Sequence, residues 1–403
     1  MMKALIIQEQ HYMTLPNGEV WVDKQSEQRF WDRYLRVFDE LIVFGRMREA
    51  REPDMKALRS DRPELRFVGI PDFRGIGGLL RQCLTIWKTL KRALAEADCV
   101  LLRAPSPISM VCYPLVARSG KPFAVELMNN PRTHYSREAM KKWYQPLAAA
   151  YITNQTKRMC RRANGVAYVT EQVLQGLYPS TARVKGESKD YFEASYSTIQ
   201  LEEKDYICPS WGSARPEPLV FVHSGEMVDY RKGQTVVIDA AAQLRKRGYP
   251  IRVLFIGDGD KRAEFEACAA RAGLGDDVRF AGWKSGFAQV QQELCKGHFF
   301  LFPSRGEGLP RSVIEAMASG LLCFGSNIDG VAELLDEDCL VEQFSGQAFA
   351  DRIEPFLKDW SRSAAKREKQ FADSKRYENS ILSERRDVFY QKLAECAMRK
   401  QHE

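Results

Sequence analysis

The sequence predicts an α/β protein of two doubly wound, Rossmann-like domains facing a central cleft. Three observations predict it. The chain has 403 residues, more than one ordinary domain uses. Both halves alternate short apolar runs, suited to buried strands, with longer segments of helical period. A polar stretch at 200–217, carrying Pro209, Gly212 and Pro216, separates the halves and reads as a linker.

The elements follow in order. Ala4–Gln8 is a buried strand, and residues 25–38 form an amphipathic helix with Phe30, Trp31, Tyr34, Leu35 and Phe38 near helical spacing. Leu41–Phe44 is a strand, Leu79–Ala97 a long helix, Cys99–Leu102 a strand and Pro107–Arg118 a helix. Pro122–Leu127 is a strand running into the polar loop Met128–Arg132. Ala139–Arg162 is helical, and Gly165–Val169 is the next strand. After the break, the strands are Pro218–His223, Ile251–Gly257, Val278–Phe280, Phe299–Pro303 and Leu321–Phe324. Helices Gln234–Lys246, Lys261–Ala272, Pro310–Ala318 and 347–359 alternate with them, and a charged helix covers 376–400. The expected domains are 1–205 and 206–375, followed by a helical segment 376–403. Loops after strands are where ligands of such sheets bind.

Composition excludes several classes. With 44% hydrophobic and 28% charged residues the chain is neither disordered nor fibrous. No apolar run approaches the roughly 20 residues that span a bilayer. The start, Met1 to Glu9, is too short and too soon acidic for a secretory signal, so a cytoplasmic location is expected. The cysteines show no CxxC, and Cys99, Cys112, Cys160, Cys268, Cys295 and Cys323 lie among apolar residues, as buried reduced thiols would. No metal site is expected, because no histidine pair has ligand spacing. Charge is uneven: residues 1–210 carry 32 Lys and Arg against 24 Asp and Glu, residues 211–403 carry 28 against 29. A basic first half suits an anionic partner as well as a solvated surface. The charge is diffuse and no nucleic-acid motif is present, so nucleic acid is not expected.

The stretch Phe302–Gly320 carries the chemistry. A strand ends at Phe302, a loop with Gly306 and Gly308 follows, and Pro310 opens a helix that stops before Gly320. Strand, glycine loop and helix N-terminus make an anion site, since free backbone N–H groups and the helix dipole both favour phosphate. Glu307, on the loop, suits neutral hydroxyls better than a phosphate, and Glu315 suits a ribose diol. One phosphate site flanked by two hydroxyl-binding carboxylates describes a nucleotide diphosphate sugar.

This stretch resembles the E-x7-E signature of family-4 retaining glycosyltransferases of the GT-B fold, including bacterial surface-polysaccharide members. Glu307 and Glu315 match its two acids, within P-S-x-x-E-G through E-A-M-A-S-G. The resemblance implies that Glu307 contacts the donor sugar and Glu315 the ribose. Upstream, Phe221–Glu226 and Tyr230–Gln234 resemble the strand–G–x–x–K–G segment around Gly225, in which Lys232 matches the lysine that neutralises the diphosphate. The family often has an arginine directly after that glycine. Glu226 stands here instead, so either Arg231 supplies a second cation or the phosphate site has only one. Leu254–Gly259 resembles the strand ending in G-x-G at Gly257, and Phe280–Trp283 the segment at Gly282 and Trp283 whose backbone cradles the base. Gly308, Leu309, Arg311 and Ser312 complete the expected donor site, with Glu307 and Lys232 as its catalytic pair.

The resemblance covers the second half well and the first half loosely. It implies a nucleotide-sugar domain at 206–375, an acceptor domain at 1–205, and a C-terminal helix that packs back on the first domain. The implied activity moves a sugar, with retention, from a nucleotide diphosphate donor to a saccharide or lipid-linked acceptor, in bacterial surface polysaccharide synthesis. A UDP-sugar is favoured over a GDP-sugar, and no further cofactor is required. Lys141, Lys142, Lys157, Arg158, Arg161 and Arg162 suit an anionic membrane surface, so a peripheral place at the inner membrane face is expected. Glu126, Asn129, Asn130, Arg132 and His134 are the polar candidates of the first half. The alternative is a GT-B module that binds a nucleotide sugar without turnover.

Overall fold

The computed structural model describes residues 1–23, 26–54, 57–134 and 145–401, without the side chains of Ile76 and His134. Lys141, Lys142 and the start of the expected 139–162 helix lie outside the described residues. The chain forms two compact units: 1–134, 145–196 and 382–401 in the first, 197–381 in the second.

In the first unit the parallel strands are β1 (Lys3–Thr14), β3 (Glu40–Glu49), β5 (Leu65–Pro71), β6 (Cys99–Ala104), β7 (Phe123–Leu127), β8 (Gly165–Tyr168) and β9 (Phe192–Ser195), in spatial order β5-β3-β1-β6-β7-β8-β9. Two short antiparallel strands, β2 (Val20–Val22) and β4 (Leu58–Arg59), extend from the far end of β1. Ala4, Leu5, Ile6 and Ile7 are wholly buried, since β1 pairs on both sides and is covered on both faces. The expected helix over 25–38 is instead a 3-10 turn, Gln28–Trp31, and one α-turn, Asp32–Leu35. Phe30, Trp31, Tyr34 and Phe38 are buried all the same, with Tyr34 bonded to Glu126 and Trp31 to Ser60.

Glu126, on β7, is the polar centre of this unit. Its carboxylate accepts from the hydroxyls of Tyr34 at 2.9 Å, Tyr196 at 3.0 Å and Tyr390 at 2.6 Å, with Arg103 at 3.7 Å. Burial alone raises this carboxyl, but Arg103 and the Tyr390 and Tyr34 hydroxyls outweigh it and hold Glu126 below the usual carboxylate range. Tyr390 belongs to the helix Asn379–Gln401, whose residues from Leu382 onward pack in the first unit. Glu126 is thus a buried structural anion, unavailable as a base.

The second unit has one parallel sheet of β10 (Leu219–Ser224), β11 (Ile251–Ile256), β12 (Val278–Phe280), β13 (Phe299–Phe302), β14 (Leu322–Ser326) and β15 (Leu340–Val341). Its order is β12-β11-β10-β13-β14-β15, so the winding reverses between β10 and β13. Helices Gln234–Lys246, Arg262–Arg271 and Arg311–Ala318 lie near their expected bounds. The 200–217 stretch is no free linker. Trp211 stacks on Trp360 with centroids 4.5 Å apart, the Arg367 guanidinium covers Trp211, and Ile207 N–H donates to the Ala318 carbonyl.

The helix Trp360–Ser374 went unpredicted because the face it buries is polar: Ser363, Arg367, Gln370 and Ser374. The Gln370 amide accepts from Cys323 N–H at 2.8 Å and donates to Cys323 C=O at 3.1 Å, standing in for a neighbouring strand. Among the cysteines expected to be buried, Cys99, Cys112, Cys160 and Cys323 are, whereas Cys268 and Cys295 are only partly covered.

Glu126→Gln removes the counter-charge of Arg103 in a dry site and is expected to lower the unfolding free energy by about 3 kcal/mol in urea titrations of the whole chain. Because the folded carboxyl lies below its ordinary value of 4.5, its contribution is complete above that pH and lost as pH falls through the folded value. The variant should therefore lose stability less steeply than the parent on acidification below 4.5. An equally steep loss would rule out a charged Glu126.

Candidate functional site

The crevice between β10 and β13 is the topological switch point, where open α/β sheets bind ligands beyond the carboxyl ends of their strands. Two loops meet there, 225–233 after β10 and 303–310 after β13. Gly233 joins them. It adopts φ +78°, and a Cβ there would overlap the Pro303 carbonyl oxygen, so only glycine permits the approach. A backbone bond from Arg305 N–H to the Arg231 carbonyl, 3.0 Å, seals the contact.

The result is an ion pair. Lys232 Nζ lies 2.5 Å from Glu307 Oε1, although 75 residues separate them in sequence. Ser304 Oγ donates to the same oxygen at 2.8 Å. The Lys232 ammonium also lies 5.8 Å from the Phe302 ring centroid. Both charged side chains keep some exposure, 34% for Lys232 and 15% for Glu307, enough to reach a ligand. Ser304 was not among the expected site residues; its place three residues before the acid is the signal that was available.

The helix Arg311–Ala318 begins beside this pair. Pro310 is its N-cap, no side chain caps it, and no acidic residue lies in its first turn. The N–H groups of Arg311 and Ser312 therefore face an open anion position. Glu315, one turn on, is only partly covered, and no described residue hydrogen-bonds to its carboxylate. Burial of the carboxyl raises it, with Arg311 opposing. Such a carboxyl is ready to accept from a neutral diol.

The remaining expected residues line the neighbouring strand ends. Gly257 adopts φ +129°, and a Cβ would overlap the Gly225 carbonyl oxygen, so the loops after β10 and β11 touch backbone to backbone. Gly257 N–H donates to the Gly282 carbonyl at 3.0 Å, which brings in the loop after β12 and the half-exposed Trp283. Gly308 C=O accepts from Gly330 N–H at 3.0 Å, and Leu309 is buried beside it. Arg231 has a local partner. Its Nε lies 2.7 Å from Asp229 Oδ2, so its charge is already matched. In the first unit, Asn130 is equally committed: its Oδ1 accepts from Tyr178 OH at 2.7 Å and Arg132 N–H at 3.1 Å.

His223, on β10, was not singled out from the sequence. It is fully buried, and Nδ1–H donates to the Leu301 carbonyl at 2.9 Å. Nε2, beside Gly225, has no hydrogen-bond partner among the described residues. Burial, assisted by Lys232, pushes its pKa down to about 4, so the ring is neutral near pH 7.

Parts of the chain are similar to known proteins. Residues 218–359 match the family described as Glycosyl transferases group 1. Protein CapJ of Staphylococcus aureus is 23% identical over 321 residues, 77% of this chain and 76% of that protein. The 2-deoxystreptamine glucosyltransferase of Streptomyces kanamyceticus is 28% identical over 263 residues, 60% of this chain and 65% of that protein. The amylovoran biosynthesis glycosyltransferase AmsK of Erwinia amylovora is 32% identical over 114 residues, 27% of this chain and 28% of that protein. Among solved structures, Anabaena Alr3699/HepE in complex with UDP and glucose aligns over 95% of this chain and 98% of its own, with TM-score 0.62 and 17% identity. Sucrose-phosphate synthase from Thermosynechococcus elongatus aligns over 100% and 98%, with TM-score 0.66 and 15% identity. The fold is GT-B.

The buried imidazole gives the unit a pH dependence. His223 favours the neutral form in the folded chain, so its stabilisation is complete above its ordinary value of 6.5 and lost as pH falls toward 4. That loss is on the order of 3 kcal/mol. In His223→Phe the unfolding free energy should vary less between pH 6.5 and 4 than in the parent. An unchanged slope would assign the acid sensitivity to other groups.

Proposed function

We propose that the chain is a retaining glycosyltransferase of the family-4 type, moving a sugar from a nucleotide diphosphate to a saccharide or lipid-linked acceptor. One observation carries the reading: a lysine and an uncapped helix N-terminus converge at the switch point of a doubly wound sheet, with two carboxylates beside them. Lysine and helix end are complementary to a diphosphate. Glu307 and Glu315 are complementary to the hydroxyls of sugar and ribose.

The chemistry follows from those charges. The bond between the anomeric carbon and the diphosphate oxygen breaks, and an acceptor oxygen bonds to that carbon on the same face. The acceptor proton passes to the departing diphosphate, so no protein base is required. Lys232 and the N–H groups of Arg311 and Ser312 stabilise the charge that develops on the leaving group, a large term in such reactions. In the ligand-free chain Glu307 holds Lys232 at the phosphate position. When the donor binds, the ammonium turns to phosphate and the carboxylate to the sugar. Gly225, Gly257 and Gly282 keep the base and phosphate loops close, Trp283 flanks the base, and Gly308 and Leu309 shape the sugar side.

A UDP-sugar is the favoured donor over a GDP-sugar; a protein of this fold, Anabaena HepE, has been seen with UDP-glucose. An acceptor in bacterial surface polysaccharide synthesis agrees with the names of relatives such as the amylovoran enzyme. The first unit, up to Tyr196 with the helix from Leu382 onward, is the acceptor side, and the second unit, 197–381, the donor side. The setting proposed is the cytoplasm, at the inner membrane face where a lipid-linked acceptor resides. A second reading, nucleotide-sugar binding without turnover, is favoured by the Arg231–Asp229 pair and by Glu226, which leave Lys232 as the principal phosphate cation of its loop.

A thermal-shift panel of nucleotide sugars tests the donor site. One donor, at 100 times its dissociation constant, should add about 2.7 kcal/mol of stability. Lys232→Ala and Glu315→Ala should abolish the shift. Release of free diphosphate nucleotide with an α-donor giving an α-linked product, read by NMR anomeric coupling, would establish retention. Binding with no release in the presence of any saccharide acceptor would select the module reading, and no shift with any donor would refute both.

A further inference from the structure

The first unit presents one helix face that its own packing does not explain. In the helix Gly75–Glu96, Ile86, Leu90, Ala93 and Leu94 are buried. Leu80 and Leu84, one turn apart on the flank of that buried face, stand 69% and 71% exposed, and Trp87 follows at 36% with its indole N–H anchored on the Val111 carbonyl. Two adjacent leucines left almost wholly in water, with a half-exposed tryptophan in line, form an apolar stripe along the outside of the helix.

The charge beside that stripe is of one sign. Residues 74–95 hold Arg74, Arg81, Lys88, Lys91 and Arg92 and no acidic residue. None of these five cations is paired with a described residue. Glu96, at the helix end, is bound to Arg66 at 2.7 Å. Elsewhere in the unit some surface cations have partners, as Arg36 has Asp387 and Arg183 has Glu193, while Lys157, Arg158 and Arg161 on the helix Gln145–Arg162 have no described acidic partner. A cationic row left unmatched beside projecting leucines calls for a partner that is anionic at its surface and apolar just beneath.

We infer that the outer face of the helix Gly75–Glu96 docks on an anionic lipid bilayer, with Leu80, Leu84 and Trp87 entering the interface and the five cations meeting the headgroups. An anionic bilayer offers both components in that order of depth. A second copy of the chain fits less well, because a two-fold contact would set the same cations against each other. Single-stranded nucleic acid stacks on aromatic rings, and this face offers aliphatic tips instead. No described helix is long and apolar enough to cross a membrane, so this is attachment in the plane of the interface. The inference names the surface by which the proposed membrane-side enzyme is held, and it rests on the first unit alone, so its failure leaves the donor site untouched.

The test is flotation of the full chain with phosphatidylcholine vesicles, with and without phosphatidylglycerol. Binding is expected only with the anionic lipid and should weaken as salt rises. A basic residue near such a surface contributes roughly fivefold, so Lys88→Glu with Arg92→Glu should lower binding at least about twentyfold. Leu80→Ser with Leu84→Ser should lower it on the order of tenfold at constant charge. Both doubly substituted chains should keep the parent's donor-induced thermal shift, since all four residues are exposed and far from Lys232 in the chain. No binding to anionic vesicles, or binding that ignores the leucine pair, overturns the inference. So does binding of a soluble polyanion in place of vesicles, or self-association that depends on Leu80 and Leu84.

Discussion

The close approach of Gly233 to the Pro303 carbonyl is the constraint on which the site depends. It lets the loop after β10 lie against the loop after β13, and so turns two distant segments into one Lys232–Glu307 ion pair. A side chain at 233 would separate the loops by the width of a methyl group, more than the reach of that pair tolerates. The same device recurs at Gly257, whose backbone meets that of Gly225. Strand ends held by backbone contact rather than by side-chain packing leave their N–H groups near the ligand position and make the cradle stiff.

Both units wind in the same order, yet their switch points are filled differently. In the first unit the helix Pro107–Val116 begins beside β1, and its end is already satisfied: Ser106 caps it reciprocally with Ser109, and Glu9 Oε2 accepts from Ile108 N–H at 3.2 Å. Glu9 is in turn paired with Arg46. That end carries its own anion. The corresponding helix of the second unit, Arg311–Ala318, has neither cap nor acid. Equivalent topology thus gives one closed helix end and one open to phosphate, which is the physical reason for assigning the donor to the second unit.

Buried polar groups do much of the specifying elsewhere. Glu126 gathers three tyrosines and Arg103, one of them from the far end of the chain. Gln370 takes the place of a strand beside Cys323, and Arg367 donates to the Gly320 carbonyl at 2.6 Å while covering Trp211. Each of these groups would be costly if unmatched, so each fixes one register of the helix that bears it.

By itself the sequence determined the strand–helix alternation, because apolar runs and helical period are local properties. It also marked Glu307 and Glu315, since a strand, a glycine loop and a helix start in succession have a direct electrostatic meaning, and Lys232 through the resemblance of its segment to a known family. It misjudged 25–38, where Tyr34 answers to Glu126 and Trp31 to Ser60 rather than to a helical stripe, and it passed over Trp360–Ser374, whose buried face beyond Trp360 is polar. Only the tertiary structure decided that Lys232 and Glu307 are partners, that Arg231 is held by Asp229, that Glu126 is caged, and that His223 is buried neutral. Apart from the local Arg231–Asp229 pair, these are relations between residues tens to hundreds of positions apart, and burial and pairing across such separations leave no periodic trace in the chain.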